Sequence, residues 1–199
     1  FVEYISSLLH MVEQNFTYES VFRFLRTNLA GFTFEEVDEL ENYVIGLGIK
    51  GYKRWQERWI RHLRGMETEE LERLNHYRTI LVEKVDSLVF VLKQRKKSVK
   101  DITCALYDFM VREELQVRIA RQEEIFKAAG RLSLAKEYAQ IYRIIVDLFD
   151  KFVELLGEES VSLSEYCRLL DAGLEEARVG VIPPSVDQVV VGDMERTRL

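Results

Sequence analysis

Between Lys50 and Arg64 the chain sets six cations, Lys50, Lys53, Arg54, Arg58, Arg61 and Arg64, against one acid, Glu57, and interleaves them with Tyr52, Trp55 and Trp59. Rings that stack on bases beside cations that pair with phosphates are what a single-strand nucleic-acid channel needs. The same residues also suit an interface with another domain or subunit, or a core plugged by two tryptophans while the cations solvate a loop. A solvent-facing basic groove would favour DNA, and a buried tryptophan pair would favour a scaffold. A second run, Lys93, Arg95, Lys96, Lys97 and Lys100, falls at a helix end, where interaction with the helix dipole is the simpler explanation.

Other motifs point to no reaction. Gly46-Leu47-Gly48-Ile49-Lys50-Gly51 fits G-x-G-x-x-G, but a dinucleotide fingerprint follows a strand, and here a helix precedes it. The glycines read as a helix terminator, or as a helix-hairpin-helix turn offering backbone amides to a phosphate. His10, His62 and His76 are isolated from cysteines and from one another, and there is no P-loop glycine-lysine pair. Cys104 and Cys167 lie far apart in apolar helical patterns, as buried thiols would. The Asn15-Phe16-Thr17 sequon matters only in a secreted protein and is read as chance.

The elements that must position these residues are helical. Apolar spacing predicts helices over about 2–14 and 18–29, and a third from the Thr33/Glu36 capping pattern to Gly46. After the basic connection comes a long helix, about 67–96, with Leu71, Leu74, Ile80, Leu81, Val85, Leu88, Val89 and Leu92 as its buried stripe. Ser98 and Asp101 cap a helix through Arg112, and 115–129 continues as helix, or as a short break and helix, up to Gly130. The helix over 133–156 is the most apolar and is expected at the centre, and Ser162 with Glu165 opens the last, ending near Ala177. Pro183-Pro184 and Val186 to Val191 then read as a linker and a single strand, which needs a sheet it does not bring. The fold class is therefore all-α, an irregular multi-helix domain over 1–180 with a short C-terminal β-strand in 181–199. The sequence reads as a piece of something larger.

A 199-residue chain with 47% hydrophobic and 31% charged residues describes a helix-rich globular domain. No apolar run reaches membrane-spanning length and no signal-like segment is present, so no membrane contact and a cytoplasmic location are expected. A net charge of −6 argues against a surface that grips nucleic acid everywhere, so any DNA contact must be local.

The tail from Ile182 to Arg198 resembles the B subunit of the bacterial AddAB (RexAB) helicase-nuclease. Val21 to Thr27, Leu40 to Val44 and Gly48 to Gly51 are similar to that same protein in the same order, with weaker similarity through Ala105-Leu106-Tyr107 and Leu155 to Glu158. The resemblance implies a helical insertion of a helicase-like region, with the tail as the first strand returning to a RecA-like core. Related helicases carry a threonine, a histidine and a lysine-glycine there, whereas this chain has Val191-Gly192-Asp193-Met194-Glu195-Arg196-Thr197, in keeping with a half that has no motor activity. The parent would process double-strand DNA ends for recombinational repair, with an AddA-like partner unwinding DNA, both strands digested, and attenuation at a Chi sequence. Its ATP, magnesium and 4Fe-4S cluster would be bound elsewhere, with no cofactor and no chemistry in this stretch. Lys50, Lys53, Arg54, Trp55, Arg58, Trp59 and Arg61, with Arg196 and Arg198 of the tail, are the candidate DNA contacts. The competing reading is a helical protein-interaction scaffold that touches no DNA.

Overall fold

A computed structural model of the chain describes residues 1–181. Its helices are α1 (Val2–Glu13), α2 (Tyr18–Leu25), α3 (Phe34–Leu47), α4 (Tyr52–Gln56), α5 (Thr68–Leu92), α6 (Val99–Arg112), α7 (Leu115–Ala128), α8 (Leu132–Leu156) and α9 (Leu163–Val181). The described residues form an irregular all-helical domain, whose one β-type pairing is an isolated bridge between Ser98 and Ser160. The strand expected at Val186 to Val191, and Arg196 and Arg198 with it, lie outside the described residues.

Helix starts follow the capping chemistry written in the sequence. The Thr33 hydroxyl accepts from the Glu36 N–H while the Glu36 carboxylate accepts from the Thr33 N–H, and Ser98 with Asp101 repeats the arrangement for α6. Ser162 and Glu165 do the same for α9. Each box satisfies two backbone donors that the first turn leaves without partners. Helix α2 ends at Leu25, earlier than its pattern suggests, because the chain turns through Arg26 to Ala30, with the Thr27 hydroxyl donating to the Phe24 carbonyl.

The centre belongs to α1. Eight of its twelve residues are buried, Ser6 and Ser7 among them, so the helix is covered on nearly every side. It packs against α2 and α9, and Tyr4 meets Phe109 of α6. Helix α8, expected at the centre for its apolar stripe, is instead an outer element. It pairs with α7 across a three-residue turn and leans on α6 and α9, and its buried side chains are Ala135, Ile145, Phe149 and Phe152. Two further expectations are corrected: Ile80 falls off the buried face of α5, and Cys104 is exposed on α6, while Cys167 is buried on α9.

Candidate nucleic-acid interface

Two left-handed glycines set up the basic connection. Gly48 (φ 61°) ends α3, and Gly51 (φ 88°) opens the single-turn helix α4, a conformation that costs glycine nothing and other residues about 1 kcal/mol or more. Gly46 serves differently: it lies inside α3, where an added Cβ would come within 2.7 Å of the Leu63 side chain, so its absence lets the end of the loop lie close. The glycine motif is thus a helix stop, a turn and a close approach.

The two tryptophans face inward. Trp55 is 0% and Trp59 6% exposed, their rings meet edge-on with centroids 5.2 Å apart, and Trp59 stacks on Tyr43 at 5.0 Å. Neither ring offers the open face that base stacking requires.

The loop is clamped by polar groups of α5 that sequence reading passed over. The Asn75 side-chain amide accepts from the Trp59 N–H at 2.9 Å and donates to the Trp59 carbonyl at 2.9 Å, copying the pairing of a neighbouring strand. Arg78, also buried, donates to the carbonyls of Trp55 at 2.7 Å and Gln56 at 3.2 Å, at the C-terminal end of α4. Burial and the nearby Arg58 charge push its pKa down, and the carbonyls and the Asn75 and Thr79 oxygens supply the compensation that a carboxylate would otherwise give. Asn75 and Arg78 sit at helical spacing with Leu71, Leu74, Leu81 and Val85. Their register was the available signal, masked by their polarity.

With the rings inside, the cations stay out. Lys50, Lys53, Arg54, Arg58, Arg61 and Arg64 are all exposed. Arg54 pairs with Glu57 at 3.3 Å and Arg58 with Glu72 at 2.5 Å. Among the described residues Lys50, Lys53, Arg61 and Arg64 have no carboxylate partner. Arg54, Arg58 and Arg61 line a cleft of roughly 170 Å³ together with Tyr43, Leu47, Ile49, Trp59 and the exposed Ile60.

The α1–α2 turn ties this loop to the second basic run. Asn15 and Phe16 both take left-handed conformations (φ 51° and 57°), and the Phe16 ring packs on Tyr52 at 4.6 Å. The Asn15 side-chain oxygen (Oδ1) accepts from the Tyr52 N–H at 3.5 Å and from Lys93 at 3.3 Å, and the Lys93 ammonium lies 4.6 Å above the centre of the Tyr52 ring. Asn15 is a bracket between two distant segments, a role its place in a sequon does not suggest.

Among the described residues no three His, Cys, Asp or Glu side chains converge as metal ligands. An iron-sulfur cluster does not fit here: Cys104 is exposed on α6, Cys167 is enclosed on α9, and burial first, then Glu13 and Asp171, push the Cys167 thiol up to about 12. No helix of the described residues is long and apolar enough to cross a membrane.

Fold and loop together define an all-helical domain with a cationic surface mounted on a rigid, clamped connection. No family model matches the chain. Against curated proteins it is 43% identical over 201 residues to the B subunit of the ATP-dependent helicase/deoxyribonuclease of Lachnoclostridium phytofermentans, covering 100% of this chain and 18% of that protein. It is 39% identical to the protein of the same name from Clostridium botulinum, over 98% of this chain and 18% of the relative. The Caldanaerobacter subterraneus subsp. tengcongensis protein of that name is 37% identical, over 99% of this chain and again 18% of the relative. The chain belongs to this family of helicase/deoxyribonuclease B subunits. It spans about a fifth of the length of these relatives.

Proposed function

We propose that this domain walls part of the DNA path of a B-type subunit in a helicase-nuclease that processes broken DNA ends, and that it contributes binding surface, not chemistry. The observation that carries the reading is the set of exposed cations that have no carboxylate partner among the described residues, Lys50, Lys53, Arg61 and Arg64, on a loop whose backbone is fixed by Asn75 and Arg78. A phosphate chain passing such a surface releases counterions and needs no sequence-specific contact. Arg54 and Arg58 contribute less, since each already has a carboxylate. Trp55 and Trp59 serve by holding the loop. ATP, magnesium and any iron-sulfur cluster would be held elsewhere in the complex, and the partner would be an A-type helicase/nuclease subunit.

The test is fluorescence anisotropy of the chain with a labelled oligo-dT strand over a range of salt. Binding at 20 mM salt should weaken as salt rises, and a Lys50→Glu, Lys53→Glu variant should lose most of it while keeping its helical circular dichroism. No binding by the parent chain, or unchanged binding by a folded variant, would overturn the proposal.

Two observations favour a second reading, that the domain braces the partner protein: Trp55 and Trp59 are the buried pair that a scaffold would have, and Ile60, 77% exposed, projects beside the apolar residues of the cleft. An Ile60→Ser variant that lowers assembly of the complex and leaves DNA binding alone would support bracing.

A further inference from the structure

We infer that the α5–α6 turn is the second half of the same phosphate-binding surface, so that a nucleic-acid strand runs from Lys50 and Lys53 across Lys93 to Arg95, Lys96 and Lys100. The inference rests on the DNA reading above and extends it to residues whose charge the sequence pattern explained by the helix dipole alone.

Three observations bring the two runs together. Lys93 closes α5 with its ammonium over the ring of Tyr52, the residue between Gly51 and Lys53. Asn15 accepts from both Lys93 and the Tyr52 backbone, so the two segments are fixed to one bracket. Beyond Lys93, Arg95, Lys96 and Lys100 are exposed and, among the described residues, have no carboxylate partner; Lys97 donates to the Gln94 carbonyl at 2.9 Å.

Lys96, Lys97 and Lys100 line an open cleft of roughly 460 Å³ with Val91, Gln94, Asp101 and Asp108. Asp101 is occupied in its helix cap, accepting from the Ser98 N–H at 2.8 Å and the Ser98 hydroxyl at 2.9 Å, and the three lysines of the cleft outnumber its two carboxylates, Asp101 and Asp108. The helix dipole accounts for Lys93 at the end of α5 but not for Lys100, which lies in the first turn of α6, where a cation is disfavoured.

The chemistry of the surface selects its occupant. Lysines predominate, and lysine is a flexible point charge suited to a phosphate chain that slides, whereas specific carboxylates on a protein are better met by the rigid fork of arginine. Tyr52 and Trp55, which flank Lys53, are buried, so neither of them stacks on a base, while Phe90 on α5 and Tyr107 on α6 are exposed. The expected ligand is a single strand held by its backbone, with little preference for sequence.

The test compares the parent chain with Arg95→Gln, Lys96→Gln, Lys100→Gln, three exposed positions whose loss should not disturb folding, as circular dichroism and melting would verify. Affinity for oligo-dT at 50 mM salt should fall roughly tenfold, and the slope of log K against log salt should shrink by about 0.7 for each phosphate contact removed. Oligo-dT and a mixed-sequence strand should lose equally. If the triple variant binds like the parent while Lys50→Glu, Lys53→Glu does not, the extended surface is wrong and the DNA reading stands. If the parent does not bind at all, both fall, and an acidic protein partner takes the place of DNA.

Discussion

The tryptophan loop and the α7–α8 hairpin both carry large apolar side chains, yet the loop hides its rings while the hairpin leaves Val117, Leu132 and Leu155 at 65%, 62% and 75% exposure. Helix α8 has the stronger periodic signal, and the loop has none. A stripe at helical spacing says which side of a helix turns inward, not how many layers lie beyond it. The loop is held by Asn75 and Arg78, whose bonds to its backbone replace the pairing that regular structure would have supplied. Stability should therefore be concentrated where sequence pattern is weakest.

Denaturant unfolding can break that comparison. Trp55→Ala should cost about 3–5 kcal/mol, since a fully enclosed ring leaves a cavity. Asn75→Ala should follow with about 1–3 kcal/mol, because the Trp59 N–H and carbonyl lose their partner in a buried setting. Leu155→Ser on the hairpin should stay within about 0.5 kcal/mol, as a surface change does. A larger loss for Leu155→Ser than for Asn75→Ala would reverse the ranking of the two regions.

The two cysteines sharpen the contrast at smaller scale. A disulfide-exchange reagent should label Cys104 at once and Cys167 only as the protein opens. Because burial lifts the Cys167 thiol from an ordinary 9.0 to about 12, both folded and unfolded chains keep its proton below pH 9 and its contribution is whole there. As pH climbs from 9 toward 12, the unfolded chain ionises first and stability is lost. Burial also pushes Tyr4 and Tyr166 upward, so Cys167→Ala should make the alkaline decline shallower without abolishing it.

The starts of α3, α6 and α9 were legible because capping is local: Thr33 and Glu36, Ser98 and Asp101, and Ser162 and Glu165 are each three residues apart and need nothing else. The outward placement of the cations was legible too, since exposed charge is what a loop of that composition favours. The fate of the rings was not, because burying Trp55 and Trp59 depends on α5, which the chain reaches only after Thr68. Nor was the neutralisation of Arg58, whose partner Glu72 is fourteen positions away. Lys93 meets Tyr52 beside a turn in which Asn15 and Phe16 both adopt left-handed backbone, a conformation that asparagine takes readily but phenylalanine does not announce.

The chain has two tryptophans, and both lie in the one loop that Arg78 pins. Its intrinsic ultraviolet emission is consequently a local gauge. Red-shift and quenching would report the opening of the α4 connection even while the rest of the helices persist. In a stopped-flow mixing experiment, that signal would time when the cationic surface is assembled, with no label attached to the protein.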